Sequence, residues 1–300
     1  MNDTRALELR LGQMVRRRLP WCVAEFVMFG LKQAWACLFA GLLLGAILVS
    51  RLVWHADWPV ARYDALFLFA IAVQALFLAL KLETWTEARV ILAFHITGTA
   101  MEWFKVSAGS WTYPEAGFFR IMDVPLFSGF MYAAVGSFMV RVIRVFEMRF
   151  TPYPPFWLTL ALAAAIYVNF FAHHFLPDLR WALFAATILI YGRTRIWFRL
   201  ARWYWMPLPL AAFFSSLFLW VAENIGTRTG TWLYAGQKTP ELVSFSKIGS
   251  WYLLLYVSFV TISLVTRETM LGPTPSPGDA GSGKHAPGGF SRETDAVWRQ

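Results

Sequence analysis

The chain has 300 residues, of which 58% are hydrophobic and 15% charged. A soluble domain carries about 25% charge, and a soluble protein this apolar would need a core larger than its surface-to-volume ratio allows. The formal charge of +9 does not by itself point to nucleic acid, because in a membrane protein the placement of basic residues matters more than their sum. The 16 Trp and 10 Tyr suit a bilayer interface, where a ring that is apolar at one end and polar at the other is favoured.

Residues 1–33 read as a basic, partly amphipathic lead-in that lies on anionic lipid. Its Arg-rich start, with no short apolar run ending in small residues, is not a cleavable signal peptide. Cys22 and Cys37 imply no disulfide framework. A spanning helix needs roughly 20 mostly apolar residues. Eight stretches qualify, at about 34–53, 64–82, 88–105, 126–145, 155–175, 179–197, 206–225 and 248–266. The sixth is the weakest, since its apolar run from Trp181 to Tyr191 soon meets Arg193 and Arg195, which would snorkel to the interface. Residues 272–300 are rich in Gly, Pro and Ser and read as a disordered cytoplasmic tail.

Charge placement tests this count independently. With the N-terminus inside, 19 of the 27 Lys and Arg residues fall on cytoplasmic segments and 8 on outer ones. That bias fits an even number of spans with both ends cytoplasmic. The expected fold is therefore an all-α, polytopic transmembrane bundle of about eight spans.

Two stretches match without a gap. Glu102 to Tyr113 and Glu223 to Tyr234 are each Glu-x6-Gly-x-Trp-x-Tyr. Each follows the outer end of a helix, the third and the seventh. Each precedes a loop with Pro125 or Pro240 and then a Gly-x-x-Tyr, Gly129/Tyr132 or Gly249/Tyr252. The matching topology predicts two parallel four-helix halves, about 34–150 and 155–267. Internal repeats of this kind often frame a site between them.

Glu102 and Glu223 lead the candidates for chemistry, because an ionisable residue in a spanning helix is costly and points to function by default. The plainer reading is a helix-end carboxylate reaching water or Lys105. His95, Thr99 and Glu102 share one helical face that would line a polar cavity, although His95 taken alone reads better as bonded to a neighbouring helix. Asn169, His173 and His174 cluster at the outer end of the fifth helix. They lack metal-ligand spacing, so no metal is expected there, and neutral histidines bonded to loop backbone are the simpler reading. Trp111, Tyr113, Trp232 and Tyr234 either anchor an aromatic belt or fold inward to line a ligand site. Asp123 and Lys247 sit on the second flanks of those loops, and Asn224 adjoins Glu223. No phosphate-binding loop, dinucleotide fingerprint, nucleophile elbow or zinc-peptidase motif is present, and no cofactor is implied.

The segments Phe29–Gln33, Ala36–Gly41, Glu102–Tyr113, Asn169–His174 and Gly230–Tyr234 resemble the YoaT-like family of bacterial membrane proteins, a family of unknown function. The resemblance spans about residues 20–268 and carries no activity with it. A weaker likeness is to membrane-bound carotenoid enzymes, the lycopene cyclase domains and carotenoid hydratases, which imply a helix-borne acid followed by a Trp-x-Tyr-like loop. The Pro-x-Glu-Glu segment of the cyclases is absent here.

Three functions follow in order of preference. The first is binding or transport of a small or lipidic molecule at an outer site between the halves, with membrane lipids as partners and no nucleic acid. The second is a membrane enzyme acting on an isoprenoid-like lipid with Glu102 or Glu223 as general acid. The third is a scaffold without chemistry. Oligomeric state is not legible.

Overall fold

The computed structural model describes residues 2–55, 57–173, 175–237 and 241–271. Helices dominate, in the order α1 (Asn2–Arg18), α2 (Trp21–Ala36), α3 (Leu38–Val53), α4 (Arg62–Ala79), α5 (Trp85–Ser107), α6 (Phe127–Val145), α7 (Phe156–Ala172), α8 (Arg180–Tyr191), α9 (Leu208–Arg228) and α10 (Ser246–Met270). Short strands lie between them: β1 (Trp111–Thr112), β2 (Arg120–Ile121) and β3 (Val124–Pro125) before α6, β4 (Arg149–Thr151) before α7, β5 (Arg195–Arg199) and β6 (Trp203–Pro207) before α9, and β7 (Leu233–Tyr234) before α10.

Four helices, α4, α6, α9 and α10, are long and apolar enough to cross a membrane. The α2–α3 pair adds a fifth if it is counted as one span broken by a 70° bend at Cys37. Every one of the eight expected stretches contains a helix, but three of those helices fall short for identifiable reasons. The 23-residue α5 carries Glu87, Arg89, Glu102 and Lys105, whereas α7 and α8 have 17 and 12 residues. At 1.5 Å per residue α8 is only about 18 Å long. Large side chains still cover the outer surface, with Leu52, Phe218, Trp181 and Leu189 more than three-quarters exposed, which is the surface a lipid environment accepts and water does not.

The strictly all-α expectation is corrected by the strands. The sixth stretch also ends early: α8 stops at Tyr191, and Arg195 opens a strand instead of closing a span. Backbone pairing, with β5 bonded to β4 on one side and β6 on the other, outweighs helix continuation there. The second half of the lead-in, α2, docks onto the end of the bundle where α6 and β5 finish. Lys32 Nζ donates to the carbonyls of Val145 and Arg199. Glu25 pairs with Arg16 at 2.9 Å and accepts from the backbone N–H of Ala201. The expected disordered tail lies outside the described residues.

The core is built mainly on α5 against α6 and α9 against α10, with α3 and α4 closing one side. Small residues set the closest approach: a Cβ at Gly98 or Gly136 would run into Tyr132 or Phe94. At the start of α5, Thr84 and Glu87 form a reciprocal cap, satisfying two otherwise orphaned N–H groups. Glu87 also pairs with Arg144 at 2.8 Å. Beside it, Glu83 accepts from Gln74 and from Ser137 and faces the fully buried Arg141 at 3.6 Å.

Candidate functional site

Both repeated units end their helix in the same way, and this explains the glycine. After α5, Gly109 adopts φ +70°, its N–H bonds the carbonyl of Val106, and the N–H of Ser110 bonds that of Lys105. After α9, Gly230 adopts φ +65°, with matching bonds to Thr227 and from Thr231 to Gly226. This is the Schellman termination, whose left-handed residue is most easily a glycine. It turns the chain back along the helix it has just left. A Trp and a Tyr two residues apart then face the same way and meet the carboxylate 9 and 11 positions upstream.

Glu102 is 2% exposed. Its Oε2 accepts from Trp111 Nε1 at 2.6 Å and from the Tyr113 hydroxyl at 2.7 Å, and its Oε1 accepts from the Tyr132 hydroxyl at 2.7 Å. Glu223, 8% exposed, repeats the clasp through Oε2, with Trp232 Nε1 at 3.1 Å and the Tyr234 hydroxyl at 2.7 Å. Burial first, and then the adjoining carboxylate, holds the Tyr113 and Tyr234 phenols well above their ordinary range, so both remain protonated donors.

The two clasps meet. Strands β1 and β7 pair antiparallel, Trp111 opposite Tyr234 and Thr112 opposite Leu233. The Trp111 and Tyr234 rings lie 5.7 Å apart, edge to face. Lys247 lies over the pair, with Nζ 4.0 Å from the centre of the Tyr234 ring and 5.9 Å from that of Trp111. Lys105 points to α7 instead, donating to the Phe170 carbonyl at 2.6 Å.

Other expected residues take supporting or separate positions. His95 does not join the Glu102 clasp. Its ring lies tilted against Phe130, centroids 4.3 Å apart, its Nδ1 is buried without a hydrogen-bond partner, and Thr99 turns its hydroxyl back to the His95 carbonyl. A Cβ at Gly129 would strike both side chains. The shared polar face of α5 is therefore spent on close packing against α6. Asp123 is outside the site, 87% exposed and 3.7 Å from Arg120, because the β2–β3 hairpin turns outward. Asn169 holds the turn after α7 through Asp178 and the N–H of Leu179, and His173 Nδ1 approaches the Asn169 carbonyl at 3.1 Å. His174 lies outside the described residues. Asn224 braces the chain before α10, accepting from the N–H of Val243. Among the described residues no group of three or more His, Cys, Asp or Glu could hold a metal ion.

Three residues that brace the loops carry no local signal in sequence. Arg62 bonds Glu115 and Thr231, Tyr63 donates to the Thr231 carbonyl at 2.7 Å, and Asp64 accepts from the N–H groups of Phe118 and Phe119. The start of α4 thus ties the first loop to the second. Tyr132, the third donor to Glu102, was visible as part of the Gly-x-x-Tyr match. Its sequence counterpart Tyr252 instead bonds Thr187 and Tyr256.

Residues 25–259 match the family model described as a protein of unknown function, DUF817. The chain belongs to this family. It is 39% identical over 255 residues to the uncharacterized protein YoaT of Bacillus subtilis (strain 168), covering 84% of this chain and 96% of that one. No solved structure matches it. The DUF817 match takes in both clasps, the α4 brace and the charges at the start of α5, so the geometry described above lies within the family's common span.

The tightest point of the second clasp gives a direct test. A Cβ at Gly226 would lie 1.8 Å from the Trp232 ring, and that ring is held by both Glu223 and the loop. Gly226→Ala is expected to cost about 1–3 kcal/mol, the usual range for overpacking, seen as a lower melting temperature in detergent. An unchanged melting temperature would mean that the ring is free to move.

Proposed function

We propose that this is a multi-pass inner-membrane protein, with eight spans arranged as two parallel four-helix halves and both termini cytoplasmic, that binds a small or lipidic molecule at the outer site between the halves. The observation that carries this reading is the convergence of the two Glu-x6-Gly-x-Trp-x-Tyr units on one paired β1–β7 ladder. A pair of anchoring motifs with purely local duties has no need to meet. The rim adds chemistry. Lys247 lies across the paired rings. A cation above an aromatic floor suits an amphiphile with an anionic head and an apolar tail.

Binding is favoured over transport by what lies below the site. Between Glu102 and Glu87, the buried face of α5 presents Met101, Thr99, Gly98, Phe94, Ile91 and Val90, mostly apolar, and the Thr99 hydroxyl is turned back onto the His95 carbonyl. The enzyme reading draws on the same clasp, since a carboxylate ringed by aromatics suits protonation of an apolar substrate, with Glu102 as the acid.

The test uses membranes of a bacterial strain that lacks this gene and is complemented with wild type or Glu102→Gln. Binding predicts that an amphiphile co-purifies with the wild-type protein, enriched over bulk lipid, and that Glu102→Gln weakens its retention. The enzyme reading predicts a changed lipid profile in the deletion strain that Glu102→Gln fails to restore. Identical co-purifying lipids and identical profiles in both strains would overturn both.

A further inference from the structure

The connections between α6 and α7 and between α8 and α9 come together as the three-stranded sheet β4–β5–β6. Successive residues of a strand point to opposite faces, and the pairing register aligns those faces across the sheet. One face is apolar and packs on the core through Phe150, Ile196, Phe198, Tyr204 and Met206. The other carries Arg149, Arg195 and Arg199 interleaved with Trp197, Trp203 and Trp205. Arg149 pairs across to Trp197 and Trp197 to Trp205, while Arg199 pairs to Trp203. The Arg195 guanidinium lies 4.2 Å from the centre of the Trp205 ring and that of Arg149 5.5 Å from Trp203.

A cavity of about 700 Å³ opens beside this face, lined among others by Thr151, Arg193, Arg195, Trp197 and Trp205. Its size lies within the range of ordinary ligand pockets, about 300–1,000 Å³. Arg193 and Arg195 are exposed and have no acidic partner among the described residues, unlike Arg199, which pairs with Glu147 at 2.9 Å. Trp197 is 8% exposed, and its Nε1–H is buried without a hydrogen-bond partner. A buried donor left unmade is costly, and Trp197 is among the residues that line the cavity.

We propose that this sheet face and its cavity bind the phosphate headgroup of an anionic phospholipid. The guanidinium groups of Arg193 and Arg195 match a phosphate in charge and fork geometry. The Trp rings match the headgroup level of a bilayer. Positive-inside placement puts the sheet on the cytoplasmic side, where anionic headgroups draw basic segments toward the surface. This site is on the opposite side of the bundle from the two clasps and does not depend on what they bind.

The experiment is native mass spectrometry of the delipidated full-length protein, titrated in parallel with phosphatidylglycerol and phosphatidylcholine. Preferential binding of phosphatidylglycerol is expected. Arg193→Gln/Arg195→Gln is expected to weaken it roughly 30-fold, the effect of two interfacial charges. Arg193→Lys/Arg195→Lys keeps the charge but loses the guanidinium fork and should retain part of the preference. Trp197→Phe keeps the ring but removes the N–H, and a selective loss of phosphatidylglycerol in that variant also supports the site if the double Gln variant fails to fold. Equal retention of both lipids by the wild type would overturn the proposal, as would an unchanged preference in both the Gln and Phe variants. Inorganic phosphate is the third arm. If it displaces the lipid at equal concentration, the cavity takes a free anion and the lipid assignment fails.

Discussion

Glu102→Leu is expected to destabilise the folded protein by about 3–5 kcal/mol, because it strands two buried donors and a third that is partly buried. Trp111 Nε1, the Tyr113 hydroxyl and the Tyr132 hydroxyl all end on this carboxylate. Each buried donor left without a partner costs roughly 1–3 kcal/mol, only partly offset by the added apolar contact. Glu102→Gln should behave differently. One amide oxygen can still accept from Trp111 and Tyr113, and the amide N–H can donate to the Tyr132 oxygen, since a hydroxyl serves as donor or acceptor. Its loss of stability is expected to stay within about 1 kcal/mol. Glu223→Leu strands two donors rather than three and should fall between them. Reversible unfolding in mixed micelles ranks the three variants. A Leu variant as stable as wild type would show that the clasp does not hold the loops. The mild Gln variant is also what makes the complementation test interpretable, because it alters chemistry without dismantling the site.

The second large effect is expected near the start of α5. Arg141 is 1% exposed and faces Glu83, whose side chain is itself fully buried. Removing one member of a buried ion pair leaves an uncompensated charge, at a cost of about 3–5 kcal/mol. Glu83→Ala should show that loss, and it also removes the acceptor for Gln74 and Ser137. The double variant Glu83→Leu/Arg141→Met should recover most of the stability, because a well-packed apolar pair often replaces a buried ion pair at little or no cost. The double-mutant cycle is expected to give a coupling of about 2 kcal/mol or more. Additive single effects would show that the two groups do not sense each other.

These two sites divide between them what could be foreseen. The clasps were legible because their spacing is local. Glu-x6-Gly-x-Trp-x-Tyr encodes a last helical turn, a left-handed stop and two same-face aromatics, all within 12 residues. Its recurrence 121 positions later, with Glu102 matched by Glu223, pointed to a shared site. The pairing of β1 with β7 is the tertiary fact behind that expectation. The Glu83 cluster was not legible. Glu83, Arg141 and Ser137 are ordinary interfacial residues in sequence, and only the packing of the α4–α5 turn against α6 brings them together.

The same division explains the misplaced residues. His95 and Glu102 lie on one face of α5, but a face does not say what it meets. Gly129 brings α6 so close that His95 is packed in rather than facing a cavity. Asp123 follows the site in sequence, yet a hairpin turns it outward. The β4–β5–β6 sheet escaped notice for a related reason. Strands of 3 to 5 residues rich in Arg and Trp resemble helix-end charges in an aromatic belt, and strand character depends on partners up to tens of residues away.

By itself the sequence determined the apolar helical segments and the two Glu-x6-Gly-x-Trp-x-Tyr units with their glycine stops. These are short-range properties, set by periodicity and spacing within a few turns. Only the tertiary structure decided that α2 docks onto the bundle, that α8 yields to a strand, and that Trp111 meets Tyr234. Each of those outcomes is a competition between distant segments for the same hydrogen bonds or the same buried surface, and no local pattern records which one wins.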